Sequence, residues 1–247
     1  MTLAFLATSR TGSNPRLHEL YEIALIEHGG GQPDRRSIWR LRPQRLPDAD
    51  PAELARSGYH QRKHYGHDVV YIDADLQTAT PVDPYGLAAE LSARLFEIPL
   101  MTLDLREVSF LGRFLEAHRA LPAWSRTVDV TAGAAFYMQG LRAGWLAAAR
   151  HADRMLPEPE LDFAAAYDPR PDPYRIARAL HVTGEDIGDD SDALTRATLA
   201  MHLWTSANAA PMMPPPAHEQ GDRLVAPTPA AGDTAVLNLA ELADLTS

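Results

Sequence analysis

The stretch Phe5-Leu6-Ala7-Thr8-Ser9-Arg10-Thr11-Gly12, preceded by Thr2-Leu3-Ala4, decides how this chain folds. Apolar residues run unbroken from Leu3 to Ala7, the pattern of a strand buried on both faces. The breakers Thr11-Gly12-Ser13-Asn14-Pro15 end it. Residues 20 to 28 (LYEIALIEH) then alternate in part and carry β-formers. After Gly29-Gly30-Gly31, residues 36 to 42 (RSIWRLR) alternate apolar with basic, as a half-exposed strand does. Three such runs separated by turn residues predict an antiparallel meander.

Further along, the pattern changes. A helix is expected near 50 to 57, with Asp50 as N-cap and Pro51 in the first turn. Residues 84 to 97 predict an amphipathic helix, 99 to 105 a strand, and 107 to 119 a helix with Val108, Leu111, Phe114 and Leu115 on one face. A short strand at 127 to 130 precedes an Ala-rich helical stretch at 133 to 154. Asp172-Pro173 opens a further helix to about Leu180, and residues 191 to 205 form the last one. Strands first, then alternating helices and strands, predict an α/β domain with a mixed sheet. Past Asn208 the composition shifts to proline and alanine, as in a linker, and residues 235 to 245 regain helical spacing. The expected organisation is one domain over 1–206 with a helical insertion near 139–160, a linker at 207–234 and a short amphipathic segment at 235–247.

Composition narrows the function. Hydrophobic residues make up 45% of the 247, and no apolar run approaches the ~18 residues of a membrane span. The N-terminus lacks a basic segment ahead of its apolar run, so the expectation is a cytoplasmic protein with no membrane partner. The absence of cysteine excludes disulfide and thiolate chemistry. A net charge of -10 argues against strong clamping of nucleic acid through phosphates. Arg35, Arg36, Arg40, Arg42 and Arg45 do cluster, which reads as the solvated face of a strand and its loop.

Three motifs in order resemble those of the DnaQ-like 3′–5′ exonuclease family. The family's first motif is Asp-Thr-Glu-Thr-x-Gly at the end of the first strand. Thr8, Thr11 and Gly12 follow that pattern, but Ala7 stands at the Asp position and Ser9 at the Glu position. The second is Asn-x-x-Phe-Asp followed by a helix with Phe-Leu. Glu107-Val108-Ser109-Phe110-Leu111, with Phe114-Leu115 beyond, resembles it, with Leu111 at the Asp position. The third is His-x-Ala-x-x-Asp-Ala. Ser191-Asp192-Ala193-Leu194-Thr195-Arg196-Ala197 fits its frame, with Ser191 for His and Arg196 for Asp. The resemblance covers about residues 2 to 206, and its middle stretch looks like actinobacterial and phage members.

The resemblance implies an RNase H-like mixed sheet. It also implies that the family's two-metal chemistry is lost. Two divalent ions need several hard carboxylate oxygens, and a histidine serves as base toward the attacking water. No catalytic residue and no Mg or Mn cofactor are therefore expected. The expected function is that of a pseudoenzyme that binds nucleic acid or a nucleotide, weakly, or a protein partner. Thr8, Arg10, Thr11, Phe110 and Arg196 are the candidate ligand-binding residues. Arg10 and Arg196 are expected to replace the lost metals as the positive charge of the pocket, paired with Asp192, Asp104 or Glu107 or holding a phosphate. The alternatives are an exonuclease with a relocated metal site and a scaffold that recruits a partner through the C-terminal tail. His60, His64 and His67 have the spacing of a metal site only if the segment is helical, and its two glycines predict a loop.

Overall fold

The computed structural model describes residues 1–62, 64–73, 78–151, 161–182 and 192–208. Among the described residues, seven strands form one sheet in the order β5-β4-β3-β2-β1-β6-β7. β1 (Thr2–Arg10), β2 (Leu20–Gly29) and β3 (Gln32–Leu41) are the predicted antiparallel meander. β4 (Val69–Asp73) and β5 (Thr78–Pro81), which the sequence pattern does not predict, extend it as two further antiparallel strands. On the other side of β1, β6 (Leu100–Thr102) and β7 (Thr127–Asp129) add in parallel.

Among the described residues, six α-helices cover the two faces: α1 (Pro51–Arg56), α2 (Pro84–Arg94), α3 (Leu105–Ala117), α4 (Val130–His151), α5 (Pro173–Ala179) and α6 (Ala193–Asn208). Asp50, Asp83, Asp104 and Asp172 cap α1, α2, α3 and α5 by accepting from backbone N–H groups in the first turn. Proline follows directly in three of these helices, where its missing N–H costs nothing.

β1 is apolar on both sides because it is central. Ala4 and Leu6 face a core shared with α2 and α3, which contains Ile23, Leu25, Trp39, Leu91 and Leu111. Leu3, Phe5 and Ala7 face the second core, built with α4, α5 and α6. This second packing brings the start of α6 against the ends of β1 and β2. No helix among the described residues is long and apolar enough to cross a membrane. Of the expected segments, part of the insertion (152–160), nearly all of the 207–234 linker and the whole of 235–247 lie outside the described residues, as does Ser191.

Candidate functional site

β1 and β6 run parallel, and a cleft of about 290 Å³ opens beyond their carboxyl ends, where α/β sheets commonly hold ligands. Thr8, Ser9 and Arg10 enter it from β1, Asp104 and Glu107 from the start of α3, and Arg196 from the first turns of α6.

Arg196 reaches back to the first strand. Its Nη2 donates to the backbone oxygen of Thr8 at 2.6 Å and to Ser9 Oγ at 3.2 Å. Arg10 is 7% exposed and pairs through Nη2 with Asp104 Oδ2 at 2.9 Å. Arg106 also grips Asp104, from its side chain and its backbone N–H. Burial pushes the Asp104 carboxyl up, but the hydrogen bonds from Arg106 and Arg10 outweigh it and bring the pKa down to about 2. Among the described residues, Arg10 Nη1, Arg196 Nε and Thr8 Oγ1 are buried without a hydrogen-bond partner.

Glu107, expected as a partner for the cleft arginines, sits deeper than that role needs. It is 4% exposed and accepts from the Thr8 backbone N–H at 3.2 Å and from the Thr102 hydroxyl. Burial raises its pKa, opposed by the charge of Arg196. Leu111, expected at the motif's Asp position, lies one helical turn farther on and is fully buried in the core under α3. The side chain of α3 that meets the end of β1 is therefore Glu107, four residues before Leu111.

Two ligand candidates are also corrected. Phe110 is 2% exposed and lies beneath Arg10, whose guanidinium carbon is 5.3 Å from the ring centroid, so the ring offers no face to a ligand. Thr11 closes the β1–β2 connection: its Oγ1 accepts from Glu19 N at 2.9 Å, and its backbone oxygen accepts from Asp50 N at 2.7 Å. Ala7 is buried against α6, and Ser9 serves Arg196. His60 and His64 pack on the Tyr59 ring, within 5.4 and 4.5 Å of its centroid, around a single 3-10 turn that does not align three imidazoles.

Two of the cleft's carboxylates are already committed to protein partners. Glu107 is one buried carboxylate, Asp104 is engaged by two guanidiniums, and Arg196 brings a fixed positive charge to within hydrogen-bond distance of Thr8 and Ser9. Among the described residues, no three His, Cys, Asp or Glu side chains come together as a metal site.

No protein-family model matches the sequence, and no curated protein matches it significantly. Solved structures do. Product-bound exonuclease I superposes with a TM-score of 0.52 at 12% identity over 84% of this chain and 43% of that one. Escherichia coli exonuclease I in complex with a dA16 oligonucleotide gives 0.51 at 13% identity over 84% and 40%. The chain thus spans less than half the length of these structures. The likeness shows the fold: an RNase H-like mixed sheet of the exonuclease kind.

Proposed function

We propose that this protein is a non-catalytic relative of the fold's exonucleases, which holds a phosphate of a nucleic-acid strand or nucleotide in the cleft beyond β1 without cleaving it. The observation that carries this reading is Arg196, lodged against Thr8 and Ser9. A guanidinium there supplies positive charge and directed N–H donors, which suit a phosphate. It activates no water. Arg10 adds a second guanidinium with an N–H that no described acceptor takes. The exonuclease I structures bound to product and to dA16 support a strand as the ligand class.

Each group has its part. Asp104 orients Arg10 and Arg106, so that Arg10 stays extended along the cleft. Glu107, hydrogen-bonded to Thr8 N–H and Thr102, fixes the end of β1 against α3. The test is fluorescence anisotropy of a labelled single-stranded oligonucleotide. The wild type should bind, and the Arg10→Gln, Arg196→Gln double variant should lose at least about tenfold in affinity. Equal affinity in both proteins, or none in the wild type, would remove the cleft from the account.

A further inference from the structure

A second concave site, of about 350 Å³, opens beside β3 and β4. Its floor and walls come from Tyr21, Arg40, Arg42, Tyr59, Arg62 and His64. The charge balance there is unlike that of the whole chain. Among the described residues, three arginines line the pocket and no carboxylate does. The acid nearest to them is Glu22, 1% exposed beneath the floor, which takes Arg40 Nε at 3.0 Å, Arg62, and the backbone N–H of Ala193 at 3.0 Å. One carboxylate thus faces two guanidiniums. Arg42 has no carboxylate within ion-pair distance among the described residues, and the neighbouring Asp68 carboxylate accepts from Gln44. A protein of net charge -10 concentrates positive charge at this point.

The remaining walls are aromatic. Tyr59 meets Tyr21 edge-on at 4.9 Å, and the exposed His64 ring lies 4.5 Å from Tyr59. Arg62 lies over the Tyr21 ring at 5.7 Å. A concave site with the exposed His64 ring, backed by buried Tyr59, on one side and guanidiniums on the other matches a ligand that joins a planar ring to a phosphate. We infer that this pocket binds a nucleoside monophosphate unit, its phosphate on Arg42 and the exposed edges of Arg40 and Arg62 and its base against the exposed His64 ring. The inference does not rest on the cleft beyond β1, because none of these six residues lines that cleft.

Arg42 is the residue to change, since it is exposed and Arg40 and Arg62 also balance buried Glu22. Isothermal titration calorimetry of the full chain with adenosine and thymidine 5′-monophosphates should show binding. Arg42→Gln should weaken it by about tenfold or more, and His64→Ala by a smaller factor. Arg196→Gln should leave the Arg42-dependent binding unchanged, which separates this pocket from the cleft. Inorganic phosphate, lacking the ring, should bind at least about tenfold more weakly than the nucleotides. No binding of either nucleotide at millimolar concentration overturns the inference. So does affinity unmoved by Arg42→Gln in a variant that melts with the wild type. Loss of affinity in Arg196→Gln equal to that in Arg42→Gln would place the ligand in the cleft and overturn it as well. A single-stranded tetranucleotide that displaces the monophosphate identifies a strand's nucleotide as the occupant; one that does not identifies a free nucleotide.

Discussion

Arg196 Nη2 donates to the backbone oxygen of Thr8 at 2.6 Å, tying the last helix to the central strand across 188 residues of sequence. The bond terminates a polar row across the sheet. Ser9 lies opposite Glu22, and Glu22 lies opposite Arg40. Arg196→Ala should cost about 1–3 kcal/mol in urea denaturation, because it strips a part-buried carbonyl of a charged donor. Arg196→Lys, which restores one donor, should recover part of the loss. A neutral alanine variant would mean that the bond contributes nothing to holding α6.

Glu22 anchors the other end of that row. Glu22→Gln leaves Arg40 and Arg62 facing a neutral side chain beside the N-terminus of α6. Removing one member of a buried ion cluster typically costs about 3–5 kcal/mol. Chemical denaturation should show a loss of that order, and a change below about 1 kcal/mol would contradict the description of Glu22 as a shared counter-ion.

Asp104 makes stability depend on pH. Its pKa falls from 3.8 to about 2 on folding, so between those values the unfolded chain binds more protons than the folded one. Stability from this group is present above pH 3.8 and is lost as the pH falls toward about 2. Asp104→Asn should lower stability at neutral pH by on the order of 1–2 kcal/mol, allowing for partial solvent screening, and should flatten the acid limb. Glu107 has the opposite sign. Its pKa is raised, so its contribution declines as the pH rises from 4.5 through the folded value. Thermal melts of Asp104→Asn and Glu107→Gln across the acid range separate the effects.

The meander was legible because β1 is apolar on both faces and Trp39 and Leu41 alternate with basic residues on β3. β4 and β5 were not. Val69–Asp73 is only five residues long, and Thr78–Pro81 is a largely exposed edge strand with no apolar face to alternate. The position of Arg196 against β1 follows from the third motif. The carboxylate of the second motif was obscured by its own periodicity. Phe110-Leu111 and Phe114-Leu115 are two Phe-Leu pairs one turn apart, and helical spacing alone does not say which belongs to the pattern. Contact between Glu107 and Thr8, 99 residues away in sequence, brings Glu107 into the cleft, and only the packing of α3 on β1 supplies that contact.

Glu107 and Leu111 give a paired prediction. Leu111→Ala should cost about 2–5 kcal/mol as a core truncation and leave oligonucleotide affinity at a permissive temperature unchanged. Glu107→Gln should change affinity, since its charge opposes that of Arg196 in the cleft. Reversal of the two outcomes would restore Leu111 to the site.

The central claim is that the cleft binds without cutting. The direct measurement incubates 5′-labelled single-stranded DNA with purified protein in Mg²⁺ or Mn²⁺, with an EDTA control, and resolves the products on a denaturing gel. The account predicts full-length strand in every lane, and anisotropy that is the same with and without EDTA. Metal-dependent trimming from the 3′ end that co-purifies with the protein and disappears in Glu107→Gln would contradict it.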